Sequence, residues 1–150
     1  MANKRLGNHP SHNYQVVEKI TEAKQLTWND SGKMFFVEQG DGTYVVNLPK
    51  LSEEICGWQA IFFLSRIEDS VEINVYGSTA GGNSGATDEE TMRFYESSHD
   101  TPSSNTTVDG MKFSSSAATI GTIISIHTDG TYWYSNGHGD VAGDIGNVGG

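Results

Sequence analysis

The chain has a single cysteine, Cys56, among its 150 residues. One thiol excludes an intramolecular disulfide framework and a multi-cysteine zinc site. Its apolar neighbours Ile55 and Trp58 predict a buried, inert thiol. Basic residues are also scarce. Nine Lys and Arg face nineteen Asp and Glu, for a formal charge of −10, and none follows Lys112. Phosphate binding needs clustered cations, so no nucleic-acid partner is expected, and the acidity suits an exposed, soluble protein. No run of 18 apolar residues occurs, and the start, Met1-Ala2-Asn3-Lys4-Arg5, is polar. Neither a membrane partner nor a secretory signal peptide is expected, which places synthesis in a cytosol.

Apolar residues are only 35% of the chain, and glycine occurs 18 times. A chain of this length buries roughly 70% of its unfolded surface on folding. The composition therefore predicts that part of it is loop or arm, with some burial supplied by a neighbouring subunit. What the chain does have is short β-branched and aromatic runs separated by turn residues. Asp41-Gly42-Thr43-Tyr44 recurs as Asp129-Gly130-Thr131-Tyr132, each copy between two such runs. Asp-Gly accommodates positive φ, so both copies predict two-residue hairpin turns, joining 33–38 to 44–48 and 122–127 to 131–134. A third hairpin is expected between 59–66 and 71–76. Val71, Ile73 and Val75 alternate with Glu72, Asn74 and Tyr76, the period of a half-buried strand. Further strands are expected at 16–20, 24–28, 92–96 and 108–113, and one helical turn at 50–57 between Ser52 and Gly57. The predicted fold is all-β: an antiparallel sandwich or jelly-roll-like barrel of about eight to ten strands over 15–137. An extended arm over 1–14 precedes it, and an irregular Gly-rich tail over 138–150 follows.

Catalytic signals are weak. Ser84 in Gly81-Gly82-Asn83-Ser84-Gly85 lacks a base and an oxyanion phrase. The acids Glu53-Glu54, Glu68-Asp69 and Asp88-Glu89-Glu90 sit in predicted turns, and the last three mark an exposed loop over 77–91. A glycosidase needs carboxylates opposed across a cleft, which adjacent acids do not supply. His138, Asp140 and Asp144 are a weak candidate for a structural ion. No catalytic residue, cofactor or resident metal is expected. Tyr132 and Tyr134 fall on one face of a strand and Trp133 on the other, a stripe that suits sugar stacking, core or an intersubunit seam.

The ordered phrases of the β body resemble a family of small tailed-bacteriophage virion proteins. The resemblance rests on Asp30-Ser31-Gly32-Lys33-Met34-Phe35-Phe36, Asn47-Leu48-Pro49, Gly57-Trp58-Gln59-Ala60-Ile61-Phe62-Phe63, and 121–134, and it spans roughly residues 24 to 137. It implies a head-decoration (cement) protein or a fibre segment without enzymatic activity. The long 77–91 loop and the basic arm depart from the family's pattern. On this reading the protein binds the major capsid protein between capsomers on the capsid surface. Its arm, with Lys4, Arg5, His9 and His12, reaches the shell. The alternative is a receptor-binding or fibre-tip module contacting host glycan through loops 77–91 and 97–107 and the Tyr132 stripe.

Ile61-Phe62-Phe63-Leu64 is apolar on both faces, whereas a small sandwich ordinarily leaves one face wet. A homotrimer is therefore expected, with Trp58, Phe62, Phe63 and Trp133 at the interface. The alternative is that the helical turn at 50–57 covers this strand within one subunit.

Overall fold

A computed structural model describes residues 16–38, 42–66, 69–81, 92–96, 107–114, 118–139 and 144–148. Its strands are β1 (Val17–Ile20), β2 (Lys24–Gln25), β3 (Met34–Glu38), β4 (Tyr44–Asn47), β5 (Gln59–Arg66), β6 (Val71–Asn74), β7 (Met92–Glu96), β8 (Thr107–Val108), β9 (Gly110–Phe113), β10 (Ile123–Thr128), β11 (Trp133–His138) and β12 (Ile145–Val148). One sheet has the order β1-β3-β5-β10-β11-β7-β8 and the other β12-β9-β6-β4-β2. The predicted all-β sandwich is what the chain forms. The two sheets stay open rather than closing into a barrel, and their strand directions are mixed rather than purely antiparallel.

The mixture has one cause. From β1 to β6 the chain alternates between the sheets, so each successive strand joins the opposite layer. Strands two apart in sequence then lie side by side and parallel: β1 with β3, β3 with β5, β2 with β4, and β4 with β6. Met34 pairs with Ile61 and Tyr44 with Val71, so both layers are offset by the same 27 residues. The aligned segments are Met34-Phe35-Phe36-Val37 on Ile61-Phe62-Phe63-Leu64, and Tyr44-Val45-Val46-Asn47 on Val71-Glu72-Ile73-Asn74.

Two of the three expected hairpins are therefore corrected. β3 and β4 lie in different sheets, as do β5 and β6, so no hairpin ladder joins either pair. A turn sequence specifies reversal and leaves open which strand accepts the hydrogen bonds. Gly42 does take the positive φ expected of Asp-Gly, at 73°, and so does Gly130, at 90°. Only the second copy closes a true hairpin, in which Thr128 pairs with Trp133 and Ile123 with His138. At the first copy the Tyr44 hydroxyl bridges the carbonyls of Glu38 and Ile20 at 2.9 and 3.1 Å. Burial, reinforced by the charge of Glu38, pushes the Tyr44 hydroxyl pKa well up.

The core lies between the layers. Phe35, Val37, Phe62, Leu64, Ile124, Ile126 and Trp133 from the larger sheet meet Val46, Val71, Ile73, Met111 and Phe113 from the smaller. Each such side chain contributes about 1.5–3 kcal/mol by leaving water. Phe35 stacks on Phe62 at 5.1 Å, and Trp58 meets Trp133 edge-on at 5.2 Å. Trp58, Phe62 and Trp133 are 3%, 0% and 0% exposed, so an interface made of them is corrected. They fill the subunit's own interior.

The smaller sheet also carries polar groups on its outer side, of which Glu72 and Asn74 are buried. Gln25, Asn47, Asn74 and Gly110 stand opposite one another across four strands. Gln25 Nε2 donates to the Leu26 and Leu48 carbonyls, both at 2.9 Å. The buried Glu72 carboxylate accepts from Gly81 N–H at 2.8 Å and Asn74 Nδ2 at 3.2 Å, folding 75–81 over the sheet. Val148 stands opposite Gly110, because β12 pairs with β9. The tail is thus not wholly irregular: the apolar Ile145 and Val148 make residues 145–148 an added strand.

Gly110 permits this close packing. A Cβ there would lie 2.6 Å from the Ile73 carbonyl oxygen and would collide with Asn74. Gly110→Ala is expected to destabilise the fold by about 1–3 kcal/mol, measured as a lower urea midpoint. An unchanged midpoint would contradict the β6–β9 packing.

Candidate functional site

The chain returns from the smaller to the larger sheet through two similar turns. Both lie at the same end of the sandwich because the strands they join are stacked in register. The first is a 3-10 turn, Trp28–Asp30, and the second is Glu53–Ile55. Each is followed by a glycine of positive φ, Gly32 at 81° and Gly57 at 84°, just before its strand.

Asp30 fixes the first turn. Its carboxylate accepts from Thr27 N–H at 2.7 Å, the Thr27 hydroxyl at 3.0 Å and Lys33 Nζ at 2.6 Å. Glu18 joins Lys33 at 2.9 Å and also pairs with Lys24. Burial of Asp30 acts to raise its pKa, but the bonds from Lys33 and Thr27 outweigh it and hold the carboxyl below its usual value. Trp58 Nε1, reaching out of the core, donates to the Thr27 carbonyl at 3.1 Å. The backbone is thus pinned from several sides, yet the Trp28 side chain is left 69% exposed.

The second turn is backed by the Asp129-Gly130 loop. Gly57 N–H donates to the Thr128 carbonyl at 2.9 Å, and Thr128 N–H to the Trp58 carbonyl at 3.0 Å. Asp129 accepts from the N–H groups of Tyr132 and Thr131 and from the Tyr134 hydroxyl, all at 2.8 Å, which lowers its pKa. Cys56 closes the second turn and is exposed, which corrects the expectation of a buried thiol. The turn points its Ile55 inward instead.

Between these turns lies a cleft of about 540 Å³. Leu26, Pro49 and Ile55 are its buried apolar lining, and Trp28 and Tyr76 are its exposed aromatic ones. Gln25, Thr27, Lys50, Ser52 and Glu54 supply polar groups. Glu54 is the one carboxylate among the described lining residues, so the carboxylate pair of glycoside hydrolysis is not assembled by them.

A second surface is the outer face of the larger sheet. Lys19, Phe36, Phe63, Ile123 and His138 form one cross-strand row, and Val17, Met34, Ile61, Ser125 and Asn136 the next. Phe36 stacks on Phe63 at 5.5 Å. Val17 is 58% exposed, and Met34, Phe36, Ile61, Phe63 and Ile123 are half-buried. This apolar stripe is continuous across four strands. Nearby, His127 stacks on Tyr134 at 5.5 Å.

The residues singled out by the sequence scatter. Lys4, Arg5, His9, His12, Ser84, Asp88, Glu89, Glu90 and Asp140 lie outside the described residues. Phe63 alone of the four expected interface residues is on an outer face. His138 is exposed on that face, whereas Asp144 is 1% exposed beside Gly139. No group of three His, Cys, Asp or Glu side chains suited to a metal occurs among the described residues. The sequence places Trp28 and Tyr76 at the ends of separate strands, with Trp28 among the aromatics suited to core, seam or stacking, and does not bring the two together. What brings them to one end is the pairing of β2, β4 and β6, which puts Gln25, Asn47 and Asn74 in one row just before the chain leaves the smaller sheet. No protein-family model, curated protein or solved structure matches the chain.

Asp30→Asn should loosen the first turn and lower stability at pH 7 by about 1 kcal/mol. Because the folded-state pKa of Asp30 is depressed, its contribution is present above the unfolded value and is lost as pH falls through the folded one. Melting curves of wild type and variant should therefore converge below about pH 4. A gap independent of pH would contradict this role.

Proposed function

We propose that the protein is a non-enzymatic structural component of a tailed-bacteriophage virion, a homotrimer that decorates the capsid exterior between capsomers. The observation that carries this reading is the apolar stripe of Met34, Phe36, Ile61, Phe63 and Ile123 on the outer side of the larger sheet. An apolar patch of that extent on a soluble chain is a mark of association. Here its occupant is further copies of the chain, related by a closed rotation. The order of turn and strand phrases that resembles head-decoration proteins supports the same reading. The acidic body faces solvent, and the arm with Lys4, Arg5, His9 and His12 contacts the major capsid protein. Binding only to the assembled shell stabilises it by mass action, and threefold display multiplies weak contacts.

Light scattering at low micromolar concentration is expected to give three times the chain mass of 16.3 kDa. Phe63→Asp should yield monomers that keep a β-type circular dichroism spectrum, since Phe63 lies outside the core. Deleting residues 1–14 should preserve the trimer and reduce occupancy on purified heads. A wild-type monomer would reject the stripe as an interface, and unchanged occupancy would remove the arm from the contact.

A further inference from the structure

We infer that the cleft between the two turns is a binding site for an uncharged glycan, with Trp28 and Tyr76 as its stacking platforms. The inference stands apart from the virion reading, since it uses neither the outer sheet face nor the arm.

Three observations converge on it. First, Trp28 is an exposed side chain on a fixed backbone. Asp30, Lys33 and Trp58 hold its turn in place, while its ring remains 69% exposed. A rigid aromatic platform loses little conformational entropy on binding. Second, Tyr76, 49% exposed, borders the same cleft from the end of the neighbouring strand pair. Third, Gln25 and Thr27 spend their side-chain donors within the fold, but the other polar groups of the rim do not. The side chains of Trp28, Lys50, Ser52, Glu54 and Tyr76 make no hydrogen bond or ion pair with another described residue, and Ser52 does not cap the turn it precedes.

The chemistry of this lining selects the ligand. A pyranose ring has C–H-rich faces and a perimeter of hydroxyls that both donate and accept. Aromatic faces and apolar floor match the former. The indole N–H, two hydroxyls, a carboxylate and an ammonium match the latter. Nucleobases also stack on aromatics, but their phosphates would meet one lysine on a body of charge −10. The same charge disfavours polyanionic sugars. Lys50 and Glu54 offset each other at the rim, so the recognised glycan is neutral. With one carboxylate among the described lining residues, the site holds sugar rather than cleaving it.

The chain carries its own reporter. Of its three tryptophans, Trp58 and Trp133 are buried and only Trp28 is exposed. Wild-type protein is screened on a printed array of bacterial and mammalian glycans, and a retained neutral oligosaccharide is titrated in solution. The expected result is a blue shift of emission, protection from acrylamide quenching, and an affinity little changed by salt. Trp28→Ala and Tyr76→Ala should each weaken binding about tenfold or more, a loss of roughly 1.4 kcal/mol. Tyr132→Ala, outside the cleft, should leave it unchanged, and all three variants should melt as wild type does. Retention of no neutral glycan would overturn the inference. So would binding indifferent to Trp28 and Tyr76, or protection of Trp28 by a polyproline peptide but by no sugar.

Discussion

In-register stacking of two strand pairs is the constraint on which the rest of the structure depends. Phe35 lies on Phe62 inside the sandwich and Phe36 on Phe63 outside it, with the same 27-residue offset in both sheets. A slip of one residue would exchange the two faces and put Phe36 and Phe63 in the core. Because both pairs hold the same register, their strands end at the same level. The two 3-10 turns that lead into β3 and β5 are therefore neighbours, and the cleft between them follows from the stacking.

The fold class was legible because alternation with period two is local. Val71, Ile73 and Val75 face the core as their spacing predicts. Strand partnership is not local, and there the sequence misled. The repeated Asp-Gly-Thr-Tyr phrase draws the eye, yet one copy closes a hairpin and the other crosses between sheets. The repeat with structural meaning is the plainer one, Met-Phe-Phe-Val against Ile-Phe-Phe-Leu, 27 residues on. Its alignment continues to Asn47 against Asn74, polar residues on the outer side of the smaller sheet, the first half-buried and the second buried. Glu72 and Asn74 read as solvent-facing by alternation, and they are buried because 75–81 folds back over them.

The site was less legible than the fold. Both faces of Ile61-Phe62-Phe63-Leu64 are apolar for different reasons: Phe62 and Leu64 belong to the core, and Ile61 and Phe63 to an outer stripe. Trp58 and Trp133 are large aromatics of the kind that dominate interfaces, but their edge-on contact fills the interior. Trp28 differs from them only in where its turn points it, which depends on Asp30, Lys33 and the distant Trp58. The outer stripe and the end cleft share no residue, so the proposed self-association and the proposed glycan binding fall on separate surfaces.

Nuclear Overhauser contacts in isotopically labelled protein test the alternation of strands between sheets most directly. The account predicts parallel backbone contacts of Phe35 with Phe62 and of Val46 with Ile73, and none of a ladder between β3 and β4. An antiparallel ladder joining Val37 to Val45 would contradict it. The shared register, and with it the cleft between the two turns, would then be lost.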